Sequence, residues 1–349
     1  MKKSLLILLF TCWALFFAAF RPVMPFAAET AAFPDGTPVT GGRILMGTIG
    51  EPSNLIPYMA SDSASGEITG LLYVAPLKYD KDLNVVPWAA ASYEVLEGGR
   101  LLRFVLRDDI RWEDGVPLTA DDVEFTYKLM IDPKTPTAYS GDFLAIESFK
   151  KTGRLSFEVR YAKPFARSLM TWMGAILPKH VLEGQDIMTT PVARKPIGAG
   201  PYRLAKWDAG SMLTLTASDT YFEGRPNLDE VVYRIIPDPS TMFLELKAGK
   251  LDMMSLSPQQ YLRQTQGPQW ERDWRKYRYL SFSYTFLGFN LEHPFFKDVR
   301  VRRAISMAID RQSLIDGVLL GQGVPTVGPY KPGTWAYNDK LTPVIAALG

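Results

Sequence analysis

The chain is poor in the residues that carry most catalytic and metal chemistry, with one cysteine, Cys12, and two histidines, His180 and His293. Cys12 lies inside an uninterrupted apolar run near the amino terminus, where it reads as a small hydrophobe. Beyond that run there is no thiol, so no disulfide can form and stability must come from burial. Neither histidine belongs to an HExxH arrangement or has a second histidine at metal-ligand spacing, so both read as surface residues. A G-x-S-x-G elbow and a Walker-type loop are also missing. Gly198-Ala199-Gly200 starts like a dinucleotide fingerprint but runs into Pro201, with Arg203 where the third glycine belongs, so it reads as a turn. The carboxylate pairs Asp108/Asp109 and Asp121/Asp122 are adjacent in sequence, which suits turns and helix entry better than acid–base work across a cleft. No basic excess exists either. Lys+Arg 39 against Asp+Glu 37 argues against a nucleic-acid partner. The basic segments 272–278 and 300–303 are interleaved with apolar residues and read as solvated faces. The chain is therefore read as a non-enzyme, with no catalytic residue, cofactor or metal assigned.

What is present begins with an export signal. Lys2 and Lys3 precede an uncharged apolar stretch from Ser4 to Phe20, followed by Arg21, two prolines and the small pair Ala27-Ala28. Residues 1–28 are assigned to a signal peptide. The run is also long enough for the alternative of an uncleaved anchor. Either way the protein is placed in the periplasm or at the cell surface.

Beyond residue 40 short strands and capped helices mix without strict β–α alternation. Strands are expected at 42–50, 76–80, 91–96 and 100–107, in two stretches between 143 and 161, and at 202–207, 211–217 and 231–236. Two more are expected at 275–280 and 283–290. Glu97-Gly98-Gly99 marks a hairpin. Helices are expected at 61–73, entered through Ser61/Asp62, after Thr119, at 239–248 and at 299–309. At Thr119 the hydroxyl is expected to cap the Asp122 amide. Helix 299–309 would place Val301, Ile305, Ala308 and Ile309 on one face, with Arg300, Arg302, Arg303 and Ser306 outward. Aromatics gather on turns and strand ends: Tyr58, Tyr73, Trp88, Trp112, Tyr139, Trp207, Tyr284, Phe286, Trp335 and Tyr337. Each offers apolar area with little conformational cost, either to a cleft or to a core.

Five segments carry a resemblance. They are GRILMGTIGEPSNLIPY (42–58), LLYVAPLKYDKDLNVVPWAAASYEV (71–95), LRDDIRWEDGVPLTADDVEFTYKLM (106–130), PIGAGPYRLAKW (196–207) and the stretch FNLEHPFFKDVRVRRAISMAIDRQSLIDGVLLGQGVPTVGPYKPGTWAYN (289–338). In wording and order they resemble the extracellular solute-binding proteins, family 5, which capture peptides for ABC importers. The resemblance implies a mixed α/β, periplasmic-binding-protein-like fold of two lobes with an extra small domain. Residues 42–75 and 196–284 would form the first lobe, 76–195 the small domain, and 285–349 the start of a distal lobe.

It further implies closure on a ligand by population shift and delivery to an ABC permease in the inner membrane. An extended peptide would be held through its backbone. By position, Glu51 and Asn54 border the cleft, Tyr284 lies on a strand approaching it, and Phe289-Asn290 is a hinge at the crossing. Glu51 could meet a ligand ammonium. Glu51, Asn54, Tyr284 and Asn290 are thus the ligand-binding candidates, on a protein expected to act as a monomer. Relatives are expected to continue well past this chain and to supply there the acidic group for the peptide amino terminus, which makes this chain a truncated member. The same family also takes metal chelates, sugar oligomers and opines, which stand as alternatives. A membrane-anchored structural or chaperone-like protein is the alternative of another class.

Overall fold

The computed structural model describes residues 38–334 and 336–341, so the signal peptide assigned to residues 1–28, as well as Trp335, lies outside the described residues. The chain divides into two compact units, one from Thr37 to Ser255 and the other containing the described residues from Leu256 onward. No described helix is long and apolar enough to cross a membrane.

The first unit holds two four-stranded sheets. One is built from β1 (Arg43–Thr48), β8 (Tyr202–Asp208), β9 (Met212–Ala217) and β10 (Glu230–Ile235), in the order β1-β10-β9-β8. Here β1 runs parallel to β10, with Arg43 opposite Glu230, and the other pairs are antiparallel. The second sheet is antiparallel throughout. Its strands β4 (Ala90–Leu96), β5 (Leu101–Leu106), β6 (Ile146–Lys151) and β7 (Ser156–Tyr161) lie in the order β4-β5-β7-β6. A small ladder pairs β2 (Leu77–Tyr79) with β3 (Val85–Pro87).

Strand alternation decides what is buried. In β5 it buries Leu102, Phe104 and Leu106, in β7 Phe157, Val159 and Tyr161, and in β9 Leu213 and Leu215. These residues belong to one continuous hydrophobic cluster that runs from Leu55 to Tyr233. At its centre Phe104 stacks on Phe157 at 4.8 Å, Phe149 on Phe157 at 5.3 Å, and Trp172 leans on both Phe104 and Phe157. The β4–β5 hairpin turns where the sequence expects it, with Glu97, Gly98 and Gly99 all at positive φ. Glu97 is the strained member, since an L side chain is disfavoured there. A two-pronged Arg160 ion pair, at 2.6 and 2.8 Å, holds it in place.

Helix entries are set by local side chains. Asp62 caps the Ser63–Leu72 helix by accepting from the Ser65 amide at 2.7 Å. On the Ala120–Ile131 helix Thr119 and Asp122 form the expected capping box, the Thr119 hydroxyl taking the Asp122 amide and also accepting from the Asp121 amide at 3.3 Å, while the Asp122 carboxylate accepts from the Thr119 amide at 2.8 Å. Asp122 also accepts from the Lys179 amide at 3.0 Å and is buried. Burial pushes its carboxyl up, against the pull of those two amides.

The segment 196–201 shows why glycine was required. The Gly200 amide donates to the Leu72 carbonyl at 2.9 Å, and the Gly198 carbonyl accepts from the Glu113 amide at 2.9 Å. A Cβ on Gly198 would stand 2.0 Å from the Leu72 oxygen, and one on Gly200 would stand 2.4 Å from the Leu71 oxygen. The glycines of this motif thus let two backbones approach, and no phosphate cradle is formed.

In the second unit the expected helices form but the expected strands do not. Val299–Ala308 and Arg311–Gly317 are helical, capped by Asp298 and Asp310. Residues 275–280 and 283–290 have no strand pairing, which corrects the sequence expectation. Their alternating aromatics satisfy the pattern of a strand. A strand, however, also needs a neighbour to take its backbone hydrogen bonds, and none exists among the described residues of this unit. On the Val299–Ala308 helix Val301, Ile305 and Ile309 are half-buried, but Ala308 is exposed. Arg302, expected outward, turns back to donate to the Phe296 and Lys297 carbonyls at 2.6 and 2.9 Å.

Candidate functional site

The loop after β1 is rigid because side chains tie it to the helix that follows. The Ser53 and Asn54 amides donate to the Ser65 hydroxyl oxygen at 2.9 and 3.3 Å. Asp62 accepts from the Ser53 and Ser65 hydroxyls at 2.5 and 2.8 Å. Burial works against the Asp62 carboxylate, yet these donors hold it below the usual range. Asn54 closes a local turn, its side-chain oxygen accepting from the Ile56 amide at 2.8 Å. Leu55 and Ile56 then enter the core completely, with the Leu55 amide donating to the Ala193 carbonyl at 3.0 Å.

Glu51 therefore sits on a fixed loop, and all its contacts lead to one place. Its carboxylate accepts from the Trp207 indole nitrogen at 2.7 Å and from the Gly210 amide at 3.1 Å. Arg194 Nη1 stands 3.8 Å from the same carboxylate, and the guanidinium lies 3.9 Å from the centre of the Trp207 ring. Trp207 is thus gripped at its edge by Glu51 and covered on its face by Arg194, a cation–π contact worth about 0.5–1 kcal/mol at an exposed site.

Beside this group opens a recess of about 620 Å³, lined by residues 194–197, 204–207 and Ala209. One wall is β8, the edge strand of its sheet among the described residues. The ladder with β9 slips between Leu204 and Lys206, a bulge at Ala205 that re-aims the side chains next to it. Lys206 pairs with Asp208 at 2.8 Å, whereas Lys195 is exposed and has no ion pair among the described residues.

Of the candidates from sequence, Glu51 and Asn54 share the loop just described. Tyr284 and Asn290 belong to the second unit. Tyr284 is exposed and leans on Phe286 at 5.4 Å, while the Asn290 side chain accepts from the Glu292 amide at 3.0 Å in a turn before the Pro294–Lys297 helix. Among the aromatics, Tyr58, Tyr73 and Trp112 are core residues, and the Tyr58 hydroxyl donates to the Ala175 carbonyl at 2.7 Å. Trp88 donates to Tyr221 at 3.0 Å and Glu223 at 3.2 Å in a network closed by Lys78. Both histidines have duties beyond simple exposure. His180 Nε2 lies 2.8 Å from the Asp114 carboxylate, and His293 Nδ1 caps a helix by accepting from the Phe295 amide at 3.3 Å. Asp109 pairs with Arg107 at 2.6 Å and Asp121 with Lys151, so the adjacent carboxylates serve turns and helix entry.

Sequence reasoning missed Arg194, Lys195 and Lys206. The available signal was the Arg-Lys dipeptide just ahead of the glycine-rich turn. Nothing local says that Arg194 meets a ring thirteen residues further on.

The comparisons with known proteins bear on the fold as a whole. The family model of the bacterial extracellular solute-binding proteins, family 5 Middle, matches residues 84–346. The oligopeptide-binding protein AppA of Bacillus subtilis (strain 168) is 32% identical over 312 residues, covering 88% of this chain and 57% of that protein. The solved structure of Bacillus subtilis AppA in complex with a nonapeptide is similar with a TM-score of 0.79 and 31% identity, over 88% of this chain and 61% of that one. NikZ from Campylobacter jejuni in complex with Ni(L-His) is similar with a TM-score of 0.72 and 26% identity, over 80% of this chain and 55% of that one. The chain thus spans little more than half the length of the relatives it matches.

Proposed function

The chain belongs to the bacterial extracellular solute-binding proteins of family 5, and on that premise we propose that it is the substrate-binding component of an ABC importer, capturing peptides outside the inner membrane and handing them to a permease. The likeness to AppA holding a nonapeptide, over 88% of this chain, is the observation that carries this reading. The work is binding, not catalysis, and the ordering of groups around Trp207 suits it. A ring fixed by Glu51 and Arg194 loses little further freedom when a ligand arrives, so less of the contact energy is spent on ordering. Glu51 has both oxygens engaged, so in this reading it positions Trp207 and the Gly210 amide, and the ligand ammonium is met elsewhere.

In the same reading residues 42–75 and 196–284 are the first lobe, 76–195 the small domain, and 285–349 the beginning of the distal lobe. Asn54, Tyr284 and Asn290 lie along the ligand path, with Phe289-Asn290 as the hinge. Export through residues 1–28 places the protein in the periplasm as a monomer. The NikZ likeness supports a second reading, a metal chelate such as nickel–histidine as the ligand.

A melting-temperature screen of the 349-residue chain with pooled di- to nonapeptides, and separately with nickel–histidine, tests both. Ligand at a hundredfold its Kd stabilises by about 2.7 kcal/mol, a shift of several degrees. Stabilisation by peptides is expected. Stabilisation by nickel–histidine alone replaces the first reading with the second, and a flat response to every ligand removes both.

A further inference from the structure

We propose that the recess beside Trp207 is a carboxylate subsite, filled by the terminal carboxylate or an acidic side chain of a bound peptide. That the bearer is a peptide rests on the function proposed above, while the chemistry of the site rests on its own residues. Arg194 spends the face of its guanidinium on the Trp207 ring at 3.9 Å, which leaves the N–H edge free. Its nearest carboxylate, Glu51, is 3.8 Å away, beyond hydrogen-bond distance. A planar fork with fixed orientation and open donors is the arrangement that grips a carboxylate through two parallel bonds.

The charge balance points the same way. Arg194, Lys195 and Lys206 line the recess with no carboxylate among its lining residues, and the ion-pair partners of these cations among the described residues are Glu51 and Asp208. Both of those carboxylates are already engaged, Glu51 by Trp207 and Gly210 and Asp208 by Lys206. Lys195 is left without an ion pair among the described residues, so an incoming anion meets an uncompensated cation beside an oriented guanidinium.

The walls allow for a chain as well as a charge. A volume of about 620 Å³ exceeds a carboxylate and falls within the about 300–1,000 Å³ of small-ligand pockets. Along one side runs β8, bonded only to β9 among the described residues, so its outer edge can take the backbone of the peptide that carries the carboxylate. Ile197, Leu204 and Ala205 line the rest and give the neighbouring side chain an apolar floor.

The test uses the 349-residue chain with its indole N–H groups labelled for NMR, and a Trp207→Phe variant to assign the Trp207 signal. N-acetylglycine is titrated against its amide at constant ionic strength. A saturable shift of the Trp207 indole with the acid but not the amide is expected. Lys195→Gln, which leaves the ring stack intact, should weaken the acid about tenfold, and Arg194→Gln at least as much. Equal responses to acid and amide, or no response to either, overturn the subsite, as does a Lys195→Gln titration that superimposes on the wild type.

Three related peptides without other acidic residues then identify the bearer: the free acid, its amide, and the amide with one internal residue replaced by glutamate. Preference for the free acid assigns the site to the peptide terminus, and rescue by the glutamate assigns it to a side chain. If acetylglycine shifts the indole while no peptide binds, the subsite stands and the peptide reading falls.

Discussion

Between Thr37 and Ser255 the apolar residues of β5, β7 and β9 alternate into one cluster and are almost wholly hidden, whereas in the other unit only Gln260, Thr265 and Ile315 are buried among the described residues. The amino acids are not very different. The second unit has Tyr277 and Tyr279, then Phe282, Tyr284 and Phe286, each run alternating as β7 does with one shift of register between them, yet all five are exposed. The two units also cap their helices in the same way, with Asp62 and Thr119 in one and Asp298 and Asp310 in the other. Helices satisfy their backbone within four residues, so local sequence is enough to start and stop them. Strands depend on a partner brought from elsewhere, and among the described residues only the first unit supplies one to itself.

The widest gap between the units should open at the glycine crossing. Gly198→Ala drives a Cβ into the Leu72 carbonyl, whose position is set by a buried helix end, so neither side can yield cheaply. A loss on the order of 3 kcal/mol or more is expected in denaturant unfolding. Hydrogen exchange should then show β4 to β10 losing protection, while amides at 275–290 exchange as fast as before. Unchanged protection in β4 to β10 would contradict the close approach.

A matched pair of deletions comes next. Phe157→Ala removes the ring at the centre of the aromatic stack and should cost about 3–5 kcal/mol. Phe286→Ala, at a ring 71% exposed, should stay within about 0.5 kcal/mol. Equal costs would mean that the second unit hides its aromatics in solution and that the contrast is wrong.

A smaller loss than that of Phe157→Ala is expected at Glu223, which ties the β2–β3 region to the loop before β10 through Lys78 at 2.7 Å, Trp88 at 3.2 Å and Tyr221 at 2.5 Å. Burial works against the Glu223 carboxylate, but these donors hold it below its ordinary 4.5. A depressed carboxyl stabilises the folded form above its unfolded value, and that contribution fades as pH falls through the folded one. Glu223→Gln should therefore lower stability by about 1 kcal/mol at pH 7, because the pair is partly solvated. The difference between the two proteins should close below about pH 4. A gap that widens in acid would reverse the sign of this account.

The legible part of the site was its loop and its ring, and the illegible part was its charge. Glu51 and Asn54 could be placed on a turn by their neighbours Pro52 and Ser53, and Trp207 could be placed at a strand end. That Glu51 would spend itself on the Trp207 indole, and that Arg194 would lie across the same ring, depends on contacts between residues far apart in sequence. The glycines of 196–201 read as a turn in the sequence, and their close approach to another backbone was hidden because the partner is a helix end more than a hundred residues earlier.

By itself the sequence determined the family, the mixed α/β class, the capped helices and the strands of the first unit, because periodicity, caps and turn residues act over a few neighbouring positions. The tertiary structure alone decided which alternating segments became sheet, which aromatics became core, and where three cations came to surround one recess. Those outcomes depend on which distant surfaces meet, and no window of neighbouring residues contains that information.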